Sequence, residues 1–354
     1  MTDDCILLAD GGGGERMMGL VRREILSRFA PGGRGELARL GDAARIELAG
    51  TIIAFTTDSY VVRPLEFPGG DIGRLAVAGT VNDLACLGAR PVALSLALIL
   101  EEGLPLAQLQ RVLDSAARTA SEAHVAVVCG DTKVVERGGR ADGLFINTSG
   151  IGAIAAGRRL GAEAIRPGDR VLLSGTMGDH GIAVMSRREG LEFESAVASD
   201  VAPLWPLAEA ILAASPNLRA LKDPTRGGLA AAVNELAEAA GPVVEGTSHY
   251  RAGVGMRIEE SAIPVRPAVE GACEALGLDV LSVANEGKFV IVAPAGEAEA
   301  ALRAMRNHPL GRAAALVGEV TQAPRRGPRV ILRTAIGGER FLEMPYGEDL
   351  PRIC

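Results

Sequence analysis

Aromatic residues are scarce in this chain: they make up 3% of it, with one tryptophan, while hydrophobic residues reach 48%. An ample core is expected, built from Ala, Val, Leu and Ile rather than from rings. The five cysteines (Cys5, Cys86, Cys129, Cys273 and Cys354) form no C-x-x-C pair. Their odd count and wide spacing argue against a disulfide framework and a zinc site. His124, His180, His249 and His308 show no ligand spacing either. Any metal is then left to carboxylates, which favours Mg²⁺. The net charge is -7 and no basic block occurs, so nucleic acid and anionic membrane are poor partners. The most apolar stretch, Leu75 to Leu100, is interrupted by Asn82, Asp83 and Arg90, and no membrane span is expected. The opening Met1-Thr2-Asp3-Asp4-Cys5 is acidic and unlike a signal peptide, so a cytoplasmic location is the expectation.

What is present is length and regular punctuation. The 354 residues suffice for two domains, and 45 glycines mark many tight turns. Residues 1–37 read as a Gly- and Arg-rich arm, 38–155 as an N-terminal domain, 165–323 as a C-terminal α/β domain, and 324–354 as a C-terminal segment with a mobile tail. Glycines and Pro167 break the chain between Ala155 and Gly168. A helical pattern runs from Glu15 to Phe29. Strands are expected at Ile52–Val62, Pro91–Leu100, Val125–Cys129 and Gly143–Ile154, with Gly138-Gly139 in a turn. Asp71 is a good N-cap for a helix through Leu87, and Pro105 starts another to about Ala123. Later strands fall at about 170–173, 253–258, 288–293, 315–320 and 329–333. Helices follow Gly178-Asp179-His180-Gly181 and fall at about 200–214, 227–240, 267–276 and 297–306. Mixed α/β (α+β) in both halves is the fold class. Val81-Asn82-Asp83-Leu84-Ala85 is echoed by Val233-Asn234-Glu235-Leu236-Ala237, although two Ala-rich helices match easily by chance.

Three aspartates stand out. Asp58 and Asp131 end apolar strands, and Asp83 shares a helix face with Ala76, Gly79, Thr80 and Leu87. Singly, each is ordinarily a cap or an ion-pair partner. Together they fit a Mg²⁺–polyphosphate site, because phosphate oxygens complete the octahedron. Gly11 to Gly14 opens a helix whose N–H groups can cradle an anion; a flexible arm reads equally well. Asp223-Pro224-Thr225-Arg226-Gly227-Gly228 is a second loop opening a helix, as much an ordinary N-cap as a phosphate loop. Lys133 lies two residues past Asp131, on the same face of a strand. It can neutralise phosphate or simply pair with Asp131. Glu286, before the apolar strand Phe289-Val290-Ile291-Val292, is a candidate base or a plain turn residue. Cys354 ends a segment without helical or strand period; the stretch from Pro345 spans roughly 30–35 Å if extended. Such a thiol is either a frayed end or a carrier.

In order, Thr57-Asp58-Ser59-Tyr60-Val61-Val62, Phe67-Pro68-Gly69-Gly70-Asp71-Ile72-Gly73, Val81-Asn82-Asp83-Leu84-Ala85, Gly130-Asp131-Thr132-Lys133-Val134-Val135, Gly178-Asp179-His180-Gly181, Asp223-Pro224-Thr225-Arg226-Gly227-Gly228, Asn285-Glu286-Gly287-Lys288 and Pro351-Arg352-Ile353-Cys354 resemble one family across nearly the whole chain. It is the HypE family of hydrogenase-maturation carbamoyl dehydratases, in the superfamily of aminoimidazole ribonucleotide synthetase, selenophosphate synthetase and thiamine monophosphate kinase. The aspartate motifs are common to the superfamily; Pro-Arg-Ile-Cys and Gly-Asp-Thr-Lys-Val-Val are specific to this branch. The resemblance implies a two-domain PurM-like fold, with an N-terminal mixed sheet that binds ATP and closes a β-barrel in a homodimer. It implies ATP and Mg²⁺ bound between the domains by Gly12, Gly13, Asp58, Asp83, Asp131, Asp223, Thr225, Arg226 and Gly227, with Asp58, Asp83 and Asp131 on the metal.

A HypF-type carbamoyltransferase would load Cys354, and this protein would dehydrate the S-carbamoyl group to an S-cyanate, forming ADP and phosphate. Lys133 and Glu286 match positions that handle protons or activate the carboxamide. A HypC–HypD-type scaffold would accept the cyanide for the iron of [NiFe] hydrogenase. Two features depart from the pattern. Asp10 stands where a histidine is expected, and an anion there opposes phosphate unless it faces away. Gly246 to Ala252 looks like an inserted surface loop. A selenophosphate synthetase would want its reactive cysteine in the N-terminal loop, and a small-molecule kinase would leave Cys354 without purpose. A non-catalytic carrier would bind ATP and leave it intact.

Overall fold

The computed structural model describes residues 5–30, 35–138, 143–191, 197–240, 253–324, 327–347 and 352–354. Strands β1 (Ala44–Leu48), β2 (Thr51–Tyr60), β3 (Glu66–Phe67), β4 (Gly70–Asp71), β5 (Ala89–Glu101), β6 (Ala126–Val135) and β7 (Leu144–Ile154) belong to the first half. Five of them form a mixed sheet in the order β1-β2-β7-β5-β6, antiparallel except for the pair β5–β6. The second half contributes β8 (Arg170–Leu173), β9 (Ala220–Lys222), β10 (Gly255–Glu259), β11 (Val290–Ala293), β12 (Ala315–Thr321), β13 (Val330–Arg333) and β14 (Glu339–Phe341). They make a second mixed sheet, β14-β13-β10-β12-β8-β11-β9.

The helix Ile72–Cys86 locks the halves together. Asp71 caps it by accepting the Arg74 amide at 2.9 Å, and Gly88 follows its end at φ +65°. One side packs on β2, β5 and β7, another on the helix Leu106–Glu122, and it also meets Trp205–Ala214 and β9 of the second half. Leu75, Val77, Val81 and Leu84 are consequently all buried. This burial explains the apolar stretch near residue 75: no described helix is long and apolar enough to cross a membrane.

Alternation along β2 turns Ala54, Thr56 and Tyr60 towards that helix and leaves Phe55 on the outer face. Phe55, Ile99 and Ile151 are exposed there. The strand carrying Asp131 runs on to Val135 rather than ending at Cys129, because it pairs with β5 along its whole length. It is an edge strand, exposed at all ten residues. Short strands β1, β9 and β14 were not legible: β1 and β14 are too short to show a pattern and form only as hairpin partners of β2 and β13, and β9 takes its identity from distant β11. The helix expected from about residue 200 starts only at Trp205, with proline at its first turn. The N-terminal helix starts at Gly14 and reaches Phe29 through a π-helical stretch, Val21–Leu26. Gly139 of the expected turn and the insertion Gly246–Ala252 lie outside the described residues.

Candidate active site

A cavity of about 490 Å³ lies between the two halves. Asp83 enters from the helix Ile72–Cys86, Asp58 from β2, and Asp223, Thr225 and Arg226 from the loop ahead of the helix Gly228–Ala239. Gly13, Gly14, Glu286 and Cys354 line it as well. The echoed helices face each other here, since Asp83 and Glu235 both line the cavity. Gly12 and Gly227 sit beside lining residues without lining it themselves.

Burial dominates the electrostatics. It pushes Asp83 well above the usual carboxylate range, and Asp223, Asp58 and Asp42 add like charge. Asp223 is raised to about 7, by burial and then by Asp42, against the opposing Lys222. Asp58 is raised by burial despite Arg226 and the Ser59 amide. Glu286 is raised well above its usual range by burial and by Asp223, Asp200 and Asp58. One of its oxygens, Oε1, has no hydrogen-bond partner among the described residues. Cys354 lies against it, and burial keeps that thiol protonated, with Arg226 opposing and Glu286 and Asp58 reinforcing.

Three contributors were not found by sequence reasoning. Asp42 precedes β1, and Asp42, Cys86 and Asp223 offer ligand atoms within 4.8 Å of one another. Lys222 Nζ pairs with Asp42 at 2.6 Å and Glu235 at 3.0 Å. Thr56 donates its hydroxyl to Asp83 at 2.8 Å. The only local signals were a carboxylate after a glycine and a lysine beside the Asp223 motif. The donor chemistry is that of a hard cation: Asp42, Asp58, Asp83 and Asp223 present oxygens, and burial holds the Cys86 thiol well above its usual value, so protonated. A divalent cation would relieve the like-charge repulsion that raises Asp83.

Asp131 and Lys133 are not brought to this cavity. Asp131 aligns with Ala97 and Lys133 with Ile99 in the sheet register. Those residues lie on the outer face, opposite the helix Ile72–Cys86, whereas Asp58 faces the cavity. The two side chains are 63% and 66% exposed and pair with each other at 2.7 Å. Their hydrogen bond draws Asp131 below its ordinary value.

Asp10 is not among the residues that line the cavity. It accepts the Leu7 amide at 2.8 Å and pairs with Arg16 at 2.9 Å, which holds it below the usual carboxylate range. The N-terminal helix spends its first amides on the C-terminal segment, with Glu15 N–H on Pro345 O at 3.0 Å and Arg16 N–H on Tyr346 O at 3.2 Å. Gly14 is required there: its φ is +71°, and a Cβ would come within 1.9 Å of Pro345 O.

The family models of AIR synthase related proteins match here, the N-terminal domain over residues 40–154 and the C-terminal domain over 166–331. The chain is 49% identical to the carbamoyl dehydratase HypE of Rhodobacter capsulatus, over 100% of this chain and 99% of that protein. A solved HypE–HypF complex contains a chain 43% identical to this one, with TM-score 0.82 over 92% of this chain and 99% of that one. A HypE structure in complex with ATP is 45% identical, with TM-score 0.79 over 99% and 100%. The buried carboxylates, the docked Cys354 and these likenesses over the full length agree: the chain belongs to the HypE family of carbamoyl dehydratases, within the AIR synthase related proteins.

Proposed function

We propose that this protein dehydrates an S-carbamoyl group on Cys354 to an S-cyanate at the expense of ATP. The observation that carries the reading is the Cys354 thiol set against the buried Glu286 carboxyl in the acidic cavity. A thiol held protonated is a poor nucleophile. The docked position therefore suits processing of a group already attached, and loading belongs to an outward tail and a HypF-type carbamoyltransferase. The HypE–HypF complex supports that partner.

The balance is simple. The carboxamide oxygen takes the γ-phosphoryl group, the C–O bond then breaks with phosphate leaving, and the nitrogen sheds its protons to give C≡N. The products are S-cyanate, ADP, phosphate and one net proton. Glu286, raised by burial and with Oε1 free of partners, is placed to take the N–H proton. Arg226 and the Asp223-Pro224-Thr225 loop face the phosphates. Mg²⁺ would be held by Asp42, Asp58, Asp83 and Asp223, and when bound it supplies charge neutralisation for in-line phosphoryl transfer. Likeness to an ATP-bound HypE supports the nucleotide assignment.

Asp131 and Lys133 act in a second copy. The outer sheet face carries exposed Ile46, Phe55, Ile99 and Ile151, and two such faces packed together close a barrel. The second copy's Asp131 and Lys133 then approach the cavity from across the interface. The cyanide passes to a HypC–HypD-type scaffold for the iron of [NiFe] hydrogenase, in the cytoplasm. The test is intact-protein mass after incubation with carbamoyl phosphate, ATP, Mg²⁺ and the carbamoyltransferase. A gain of one carbamoyl group followed by loss of one water, absent in Cys354→Ala, is expected. No adduct, or an adduct on another cysteine, overturns the reading.

A further inference from the structure

The motif Gly178-Asp179-His180-Gly181 has no part in the chemistry above, yet it opens the helix Asp179–Glu189 against the tail. His180 is fully buried, with its ring edge-on to Phe67 at 5.3 Å. Its Nε2 is 2.8 Å from Ile353 O, and its Nδ1 is 2.8 Å from Ser199 Oγ. A carbonyl only accepts, so Nε2 carries the proton and Nδ1 accepts from the serine hydroxyl. Further along the same helix, Arg188 donates to Arg352 O at 2.7 Å and to Arg63 O at 2.8 Å.

The tail also extends the line of β2. Val61 N–H donates to Cys354 O at 3.2 Å and Arg63 N–H to Arg352 O at 3.1 Å. The main-chain oxygens of Arg352, Ile353 and Cys354 are thus all held, and Ile353 is buried in the core between them. Two of the donors are backbone amides that any sequence supplies. Among the described residues the two side-chain donors, His180 and Arg188, come from one helix.

We propose that His180 and Arg188 are positioning residues that clamp the tail inward and present Cys354 to Glu286. They favour processing at the cavity and oppose release of the tail for loading. The second half of this statement rests on the dehydratase reading; the clamp itself does not. The test uses the full chain with exposed Cys5 and Cys129 replaced by serine, so that Cys354 dominates labelling. Labelling of Cys354 by N-ethylmaleimide is followed by intact mass. Loss of a buried donor should raise the rate about tenfold in His180→Ala and severalfold in Arg188→Met, with His180→Gln restoring most protection because its amide also donates.

Carbamoyl loading by the carbamoyltransferase should be unchanged or faster in His180→Ala, while ATP-dependent loss of water from the loaded protein slows about tenfold. A merely structural role would slow both steps. Wild-type labelling rates in both His180→Ala and Arg188→Met overturn the clamp. Faster labelling with unaltered water loss overturns the positioning role. Failure of wild type to take any carbamoyl group removes the dehydratase reading alone, because the labelling rates still decide the clamp. Arg188 is only half-buried, so its variant keeps the test decisive if His180→Ala fails to fold.

Discussion

Asp200 and Glu286 are neighbouring acids with opposite fates. The Glu286 amide donates to Asp200 Oδ1 at 3.1 Å, and both side chains are buried. Burial alone raises each. For Asp200 it is overcome by Lys288, whose Nζ lies 3.0 Å away, and by the Glu286 amide, and the group ends below its ordinary value. For Glu286 the other neighbours are mostly acids, and it ends well above. Desolvation is common to both; possession of a dedicated cation separates a structural carboxylate from a reactive one.

Breaking the reactive member should have the larger effect. Glu286→Gln keeps the shape and removes the acid. Carbamoyl loading should continue, while water loss from the loaded protein falls about 10²–10⁴-fold. Full dehydration in this variant, read by intact mass, would remove Glu286 from proton transfer. Breaking the structural member instead attacks the fold. Lys288→Met strands Asp200 as a buried, uncompensated charge, at about 3–5 kcal/mol in denaturant titration. The sign with pH should reverse as well. In wild type, Asp200 contributes stability above its unfolded value of 3.8, lost as pH falls through its lower folded value. In Lys288→Met burial raises it, so its contribution is complete below 3.8 and is lost as pH rises.

The cavity acids extend the comparison to metal. Asp223 sits at about 7 against 3.8 unfolded, so the folded state binds its proton more tightly. Its contribution to stability should be complete below pH 4 and be lost as pH rises through about 7 in metal-free buffer. Mg²⁺ with ATP supplies the missing cation and should flatten that slope, raising Tm by a few degrees near pH 8. An identical slope with and without Mg²⁺ would place the ion elsewhere.

How far the sequence carried these distinctions depends on the range of the information. The N-cap Asp71, the helix bearing Asp83 and the loop from Asp223 are local signals, and each lies where its pattern predicts. The adjacency of Asp131 and Lys133 is local too. Which side of the sheet they occupy is not, because it follows from pairing β6 with β5. Asp42, Lys222 and Asp200 were overlooked because each is a single polar residue whose meaning comes from partners far away in sequence: Lys222 and Asp42 for one another, Lys288 for Asp200. Glu286 was legible before its apolar strand as a base or a turn residue, and family resemblance favoured the base; its burial and its unpartnered oxygen are visible only in three dimensions.

The smallest effect on stability is expected where the acid and its cation pair on the surface of their own chain. Lys133→Ala removes the partner of Asp131, yet both side chains are exposed, so Tm should stay within about 1 °C of wild type. Its effect should instead appear as lost dehydration, because the second copy's cavity loses a cation. Mixing then separates the two roles. In dimers that pair a Lys133→Ala chain with a Glu286→Gln chain, one of the two cavities receives an intact Glu286 from its own chain and an intact Lys133 from the other. Neither variant alone should dehydrate, but equal mixing after subunit exchange yields such dimers in about half the population and should recover about a quarter of wild-type activity. Without recovery on exchange, Lys133 would have to serve the cavity of its own chain, on the far side of its own sheet, and the barrel arrangement would fail with it.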